Sequence, residues 1–183
     1  QSGYFIFGTH KGEVVALCSD NGRVMWRAVV STEVLAPPVI AGQWVLIKTV
    51  DGKLVALDLK TGELGWNFAT HKMPLAILPS DSAPVVSKGV VFVGFSDGQL
   101  FALRLQTGQL IWQQMLALPG GLGEPDSLVG ITADPVVSGS MLHVAVHQDK
   151  LVALSTQTGA VVWQQNLSTY NSFSLSGALI AVT

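Results

Sequence analysis

Short apolar runs separated by polar turns recur along the whole chain, and β-strands are the element they predict. The runs are rich in Val, Ile and Leu, and turns such as "AGQ", "DGK" and "KTGE" separate them. Glycine and aspartate turns between β-branched runs are typical of β-hairpins. In one stretch the predicted strands are roughly 38–41, 44–50, 54–59 and 64–69. Such a unit is a meander of four antiparallel strands.

One motif, Ala-Leu followed by four residues, Gly and then Trp, occurs four times. The copies read "EVVALCSDNGRVMW", "KLVALDLKTGELGW", "QLFALRLQTGQLIW" and "KLVALSTQTGAVVW". Their glycines and tryptophans are Gly22, Trp26, Gly62, Trp66, Gly108, Trp112, Gly159 and Trp163. A proline lies 24 residues before each of the last three glycines: Pro38, Pro84 and Pro135. A four-stranded meander repeated at this spacing predicts an all-β fold, a β-propeller with about four blades present.

The repetition gives the motif a packing role. A cofactor site is needed once, whereas a packing contact is needed in every blade. The glycine makes the turn between the third and fourth strands, where it supplies a positive φ. The tryptophan stands at the same register of every fourth strand, where its ring can cover the neighbouring blade. We therefore predict that the motif glycines and tryptophans dock one blade on the next.

The repeats divide the chain into a single propeller segment, 1–183, with connectors of variable length. The predicted complete blades are approximately 36–69, 83–116 and 133–167, and the partial blades are 4–30 and 172–183. Nothing before Tyr4 can supply the first strand of the first copy. The last stretch, "SFSLSGALIAVT", contains a first strand and part of a second.

Composition removes several classes of function. The chain is 49% hydrophobic and 12% charged, with a formal net charge of −2. A near-neutral chain without a cluster of Lys and Arg is not built to bind nucleic acid or an anionic membrane. The single cysteine, Cys18, excludes an internal disulfide framework and a multi-cysteine metal site. No apolar run approaches the ~20 residues of a membrane span.

The motif, with Asp58 and Thr61-Gly62 in its best copy, resembles the tryptophan-docking repeat of pyrroloquinoline-quinone (PQQ) type propellers. It lacks the Gly-His and Trp-Asp pairs of WD40 blades and the glycine pairs of kelch blades. Two stretches narrow the match: "STEVLAPPVIAGQWVLIKTVDGKLVALDLKTGELGW" and "TGQLIWQQMLALPGG…DPVV". They are similar to the BamB family of outer-membrane assembly lipoproteins.

This resemblance implies a periplasmic propeller of eight blades without enzymatic activity or cofactor. It implies attachment to the outer membrane of a Gram-negative bacterium through an N-terminal lipid that this chain does not contain. It also implies binding to the POTRA domains of BamA within the β-barrel assembly (BAM) complex, and a role in inserting outer-membrane proteins.

The chain has too few predicted strands for eight blades, and this has two interpretations. Since the family has eight blades, the favoured one is that the chain is half of a larger propeller, with open edges that can pair with another copy. The other is that the strand near 172–176 completes the first blade and closes a four-bladed ring.

A fragment of a PQQ-dependent quinoprotein dehydrogenase is the enzymatic alternative, because those enzymes share the repeat. They need PQQ, a calcium ion held by several oxygen ligands and a catalytic Asp. The chain has no dense acidic cluster, so we assign no catalytic, cofactor-binding or metal-binding residue. His143 and His147 have the spacing of a helical zinc site, but on a strand they lie about 13 Å apart. A propeller sensor domain of another secreted protein is the third alternative.

The two long connectors are the candidate protein-binding segments, because the copies differ there and scaffolds carry function on loops. They are "THKMPLAILPSDSAP" (70–84) and "ALPGGLGEPDSLVGITADP" (117–135). Both join a fourth strand to the next first strand, so we expect them on one rim, where exposed apolar groups would form a binding patch. The alternative is that they fold back over the channel mouth. The predicted binding residues are Leu75, Ile77, Leu78, Asp81, Asp126, Leu128, Gly130, Ile131 and Thr132.

The resemblance places the BamA contact of the BamB family on the corresponding loops. The family has Leu-x-Leu-Arg before Ser-Ala-Pro, and an Asp-x-Asp before the next proline. Here the first element reads Ala76-Ile77-Leu78-Pro79, so that Leu78 matches and the arginine is replaced by Pro79. The second element reads Gly130-Ile131-Thr132. Both charged elements of the family are therefore missing from this sequence.

Overall fold

The computed structural model describes residues 3–70, 81–117, 130–147, 149–166, 173–176 and 179–182. In that part of the chain it has seventeen β-strands, joined by turns and connectors. The chain divides into two compact units, Gln1–Lys72 and Met73–Thr183. Each unit is a series of antiparallel sheets. In the described residues, no helix is long and apolar enough to cross a membrane.

The first unit contains two sheets. The three-stranded sheet has the order β1-β2-β3, and its strands are β1 (Tyr4–Gly8), β2 (Glu13–Cys18) and β3 (Val24–Val29). The four-stranded sheet has the order β4-β5-β6-β7, and its strands are β4 (Val39–Ala41), β5 (Trp44–Thr49), β6 (Lys53–Asp58) and β7 (Leu64–Ala69). Consecutive strands pair antiparallel throughout, as in a meander.

The second unit contains three sheets. The strands of its first four-stranded sheet are β8 (Val85–Ser87), β9 (Val90–Gly94), β10 (Gln99–Arg104) and β11 (Leu110–Met115). Those of the second are β12 (Val136–Ser138), β13 (Met141–Val146), β14 (Lys150–Ser155) and β15 (Val161–Asn166). Finally, β16 (Phe173–Ser176) pairs with β17 (Leu179–Val182) in a two-stranded sheet.

The predicted all-β fold of four-stranded antiparallel meanders is confirmed. In the second copy the four expected strands differ from β4, β5, β6 and β7 by no more than one residue at either end. Apolar periodicity and glycine turns were sufficient here because every strand pairs with its neighbour in sequence. The strand bounds therefore depend on local signals.

The core of each unit lies between neighbouring sheets. In the first unit, buried side chains of β2 (Val14, Ala16) pack with those of β5 and β6 (Val45, Ile47, Val55). In the second unit the equivalent layer joins β9 and β10 to β13 and β14, and its buried members include Phe92, Leu100, Ala102, Leu142, Val144, Val152 and Leu154. The middle strands are thus buried on both faces, which explains why they read as continuous apolar runs rather than as alternating ones.

Candidate functional site

The repeated tryptophan is held by the following copy of the motif. The indole Nε1–H of Trp26 donates to the carbonyl oxygen of Leu59 at 2.9 Å, and its ring lies over Gly62. A Cβ on Gly62 would be 2.6 Å from a ring carbon, and the glycine has a φ of +74°. Only glycine fits both the turn and the approaching ring. The tryptophan and the next glycine are therefore two halves of one contact between sheets.

The second unit repeats this contact with different residues. Trp112 donates to the carbonyl oxygen of Thr156 at 3.1 Å, and a Cβ on Gly159 would be 2.6 Å from the Trp112 ring. The ring of Trp112 also lies 5.8 Å from that of Phe92, centre to centre. A large ring with one polar N–H suits a position that needs both area and direction. This geometry is a packing contact between neighbouring sheets.

The remaining motif residues differ in how closely they are packed. Trp66 is buried, and Gly108 has a φ of +68°. Trp163 is half-buried, and its ring centre is 5.7 Å from that of His143. Gly22 has the same turn conformation as Gly62, with a φ of +69°, but there is open space where its Cβ would be. Gly22 is therefore a natural comparison for the docked glycines.

The turn between the third and fourth strands is stabilised by Asp58 in the best copy of the motif. Its Oδ1 accepts the backbone N–H groups of Lys60 and Thr61, both at 2.9 Å. These two bonds, that of Thr61 first, lower the pKa of the Asp58 carboxyl below its usual value. The aspartate, threonine and glycine of the motif are thus the parts of one tight turn.

The connectors meet the turns between the second and third strands, because both lie at the same end of an antiparallel meander. In the first unit the connector between β3 and β4 is hydrogen-bonded to two such turns. The N–H of Val34 donates to the carbonyl oxygen of Thr9 at 3.2 Å, and the carbonyl oxygen of Glu33 accepts from the N–H of Val50 at 3.1 Å. Val34 is buried, and its side chain fills the space above Gly8.

The longer connector of the second unit makes the same two bonds. The N–H of Ile131 donates to the carbonyl oxygen of Phe95 at 3.2 Å, and the carbonyl oxygen of Gly130 accepts from the N–H of His147 at 2.9 Å. The side chain of Ile131 is 0% exposed and fills the space above Gly94. We call Val34 and Ile131 the connector anchors.

The burial of Ile131 corrects one expectation from the sequence. The apolar residues of this connector were expected on an exposed patch, but Ile131 belongs to the hydrophobic core and Gly130 is also buried. A side chain on Gly130 would meet the backbone of Ser96, with a Cβ only 2.6 Å from its carbonyl oxygen. Neither residue presents a side chain to a partner.

The other predicted binding residues divide into two groups. Asp81 is exposed and Thr132 is half-buried, so both are accessible at the edge of the connectors. The rest lie outside the described residues: Leu75, Ile77, Leu78, Asp126 and Leu128.

The described ends of the two long connectors are hydrogen-bonded to each other. The backbone N–H of Ala83 donates to Oδ1 of Asp134 at 2.6 Å. The hydroxyl of Ser82, which is 1% exposed, donates to the carbonyl oxygen of Ile131 at 3.5 Å. Residues 81–84 and 130–135 are therefore held together, and we call these two segments the connector rim. Their accessible members are Asp81, Ala83, Thr132 and Asp134. This juxtaposition agrees with the expectation that both connectors emerge at one end of the blades.

Sequence reasoning missed the anchors and the bond between the connectors. The available signal was the distance to the proline: Val34 and Ile131 both lie four residues before it, at Pro38 and Pro135. A small buried residue also lies two positions before each proline, namely Ala36, Ser82 and Ala133. Alignment on the prolines rather than on the tryptophans would have exposed both regularities.

The carboxylate of Asp51 lies at the same end of the first unit. Asp51 accepts hydrogen bonds from Thr49 Oγ1 at 2.5 Å and Ser31 Oγ at 3.2 Å, and it pairs with Lys53 Nζ at 2.5 Å. Partial burial raises the pKa of Asp51, but the hydrogen bonds from Lys53, Thr49 and Ser31 outweigh burial and leave the pKa below its usual value. The carboxylate therefore stabilises the connector and the turn together.

The acidic, cysteine and histidine side chains are the candidates for a metal-ion site in the part of the chain that the structure describes. There, no three His, Cys, Asp or Glu side chains lie close enough together to hold a metal ion. His143 is buried against Trp163, and His147 follows β13 and bonds to the connector through its backbone. The two histidines are thus parts of blade and connector packing.

The family model described as "Outer membrane protein assembly factor BamB" matches residues 1–183.

The chain belongs to the BamB family.

A BamB relative from Yersinia pestis is 33% identical over 91% of this chain, which corresponds to 42% of the relative. The crystal structure of BamB from Moraxella catarrhalis superposes with a TM-score of 0.89 at 27% identity, over 98% of this chain and 54% of that one. The predicted β-propeller class is confirmed by this likeness. The chain spans about two fifths of the length of the curated BamB relatives it matches.

Quinoproteins share the fold with the BamB family. The quinohemoprotein alcohol dehydrogenase of Comamonas testosteroni superposes with a TM-score of 0.77 over 96% of this chain, at 16% identity. At that identity the likeness concerns the fold alone. It lends no weight to the dehydrogenase alternative, since catalysis depends on site residues that the fold does not specify.

Proposed function

We propose that this chain is part of a non-enzymatic scaffold that assists the assembly of outer-membrane proteins, and that it binds the POTRA domains of BamA through its connectors. Membership of the BamB family supports the assembly role, because its named members are outer-membrane protein assembly factors. The observation that carries the binding site is the hydrogen bonding between residues 81–84 and 130–135, which holds two variable segments together.

The proposed docking surface consists of the connector rim and the apolar connector residues Leu75, Ile77, Leu78 and Leu128, together with Asp126. Exposed Asp81 and half-buried Thr132 contribute polar groups at its edge. Ile131 takes a different role: it anchors the connector to the blade and acts on binding through position. Because the charged elements of the family are absent at Pro79 and at residues 130–132, we expect apolar contacts to dominate the affinity.

The same family membership supports a location in the periplasm, in association with the outer membrane. In this proposal the attachment is made by an N-terminal lipid. Within the BAM complex the protein would position a partner rather than transform a substrate. A scaffold of this kind carries its binding residues on loops between regular elements, and hydrogen-bonded sheets joined by connectors of variable sequence fit that description.

The binding site can be tested with a double variant, Leu78→Asp and Leu128→Asp, and immobilised POTRA domains of BamA. Two hot-spot replacements should weaken binding by about 30-fold or more, which corresponds to about 2 kcal/mol. The matched control is Phe5→Asp, since Phe5 is 66% exposed on β1 and lies far from the connectors in sequence. We expect the control to bind like the unmodified protein.

Circular dichroism should show the same β-sheet spectrum for all three proteins. If the double variant remains folded and binds the POTRA domains as tightly as the unmodified protein does, the connectors are not the docking surface.

A further inference from the structure

Two outermost strands, β11 and β15, expose backbone groups that play no part in the proposed connector binding. Each is the terminal strand of its sheet in the described residues. One row of backbone N–H and C=O groups on such a strand points away from its own sheet. Proteins protect these rows with charged side chains, prolines or bulges, because an unprotected row pairs readily with another strand.

The protection differs between copies at the residue that follows the motif tryptophan. In β3 this residue is Arg27, whose guanidinium pairs with Glu13 at 2.5 Å. In β7 it is the uncharged Asn67, but Gly65 takes the place of the apolar residue before the tryptophan. In β11 and β15 it is an uncharged amide, Gln113 or Gln164, and both are exposed. Neither of these two strands, "LIWQQM" and "VVWQQN", contains a charge or a proline. Two of the usual protecting devices are therefore absent.

Exposed apolar side chains lie beside these unprotected rows. The two residues before each tryptophan are apolar and well exposed: Leu110 (48%), Ile111 (42%), Val161 (43%) and Val162 (58%). A β-bulge precedes each tryptophan, because the pairing register shifts between Ala102 and Leu103 and between Ala153 and Leu154. The bulge limits regular pairing to the four residues from each tryptophan onward and leaves the apolar pair at the end of that stretch.

We propose that the outer edges of β11 and β15 each accept an extended, uncharged segment of another polypeptide as an additional β-strand. An extended backbone is the ligand that matches a row of alternating N–H and C=O groups. The segment has to be uncharged, because a charge placed beside these strands would lose water without gaining an ionic partner. Apolar side chains at one end of the segment would cover Leu110 and Ile111, or Val161 and Val162.

This inference concerns a surface other than the connector rim, so either proposal can fail without the other. In an antiparallel meander the outer strand runs along the side of the blade, while the connectors lie at one end. The variants that test the rim leave β11 and β15 unchanged, and those below leave the rim unchanged.

The probe is a blocked, fluorescein-labelled nonapeptide of alternating valine and threonine, and its binding is followed by fluorescence anisotropy. A second peptide of the same sequence, N-methylated along its central residues, keeps the side chains but lacks the N–H donors. We expect the first peptide to bind and the second to bind at least about tenfold more weakly, because strand addition depends on backbone hydrogen bonds. Equal binding of the two peptides would overturn the proposal.

Charge substitutions locate the site on the protein. The double variant Gln113→Arg and Gln164→Arg should reduce peptide affinity at least about tenfold, since it gives both strands the charge that β3 carries. The matched control is Gln157→Arg, which places the same charge on an exposed turn residue. The reverse change, Arg27→Gln, should add a peptide site on β3.

Two outcomes contradict this assignment. One is unchanged peptide binding by a folded double variant. The other is dimerisation of the unmodified protein, measured by light scattering, that the double variant abolishes, because the edges would then be occupied by a second copy of the chain.

Discussion

The side chain of Ile131 occupies the space above Gly94, where a Cβ on the glycine would overlap the Cγ2 atom of the isoleucine. The pair joins a connector to the end of a second strand, and Val34 and Gly8 repeat it in the first unit. The anchored part of a variable connector is thus as regular as the blades themselves. In the proposed function, partner specificity would depend on the residues between the anchor and the preceding tryptophan.

Replacing the anchor should destabilise the protein in proportion to the volume that is lost. We expect Ile131→Ala to lower the free energy of unfolding by about 2–5 kcal/mol and Ile131→Val by about 0.5–1.5 kcal/mol, because the site is fully buried. Urea unfolding followed by tryptophan fluorescence measures both. Ile111→Ala is the control, since Ile111 is 42% exposed and its truncation should cost about 0.5 kcal/mol or less. Equal costs at the two isoleucines would contradict the assignment.

The docking glycines should tolerate alanine less well than their undocked equivalent. Gly22→Ala pays only the cost of a left-handed backbone, about 1–2 kcal/mol, because its Cβ would meet open space. Gly62→Ala has the same backbone cost and also displaces the ring of Trp26, so we expect the free energy of unfolding to decrease by about 1–3 kcal/mol more. Thermal unfolding of the two variants compares them directly. If both are destabilised equally, the tryptophan is not seated on the glycine.

The free energy of unfolding should decrease as the pH is lowered, and part of this decrease should depend on Asp51. Its pKa in the folded protein is lowered, so the stabilisation is fully present above the unfolded value of about 3.9 and is lost as the pH falls through the lower, folded value. Urea midpoints between pH 7 and pH 2.5 should therefore decline less steeply for Asp51→Asn. Lys53→Met and Thr49→Val, which each remove one donor, should give intermediate slopes. A slope unchanged in all three variants would refute this linkage.

Much of the fold could be predicted because its information is local. The strands, the turn at Asp58 and the four-fold motif all depend on residues within a few positions of one another. The docking of Trp26 on Gly62 could be anticipated because a repeated tryptophan needs a repeated partner. The position of Ile131 was missed, because its partner Gly94 is distant in the chain and its one local signal, the spacing to Pro135, is visible only when the copies are aligned on their prolines.

The candidate site was predicted less completely than the fold, for a related reason. The apolar residues of a connector were all expected to be exposed. The backbone hydrogen bonds of Gly130 and Ile131 instead hold that part of the connector against the core. The contact between Ala83 and Asp134 depends on the bend of two connectors at once. Among the predicted binding residues, the structure is needed to separate accessible ones such as Asp81 and Thr132 from buried ones.

The most direct test of the connector rim as the BamA-binding surface is site-specific photo-crosslinking. A photoreactive amino acid is placed at Asp81, at Thr132 or, as the control, at Thr107, an exposed residue in the turn between β10 and β11 at the opposite end of the blade. We expect Asp81 and Thr132 to crosslink to the POTRA domains of BamA, and Thr107 to give no crosslink. Crosslinking from Thr107 without crosslinking from Asp81 or Thr132 would contradict the proposed binding surface.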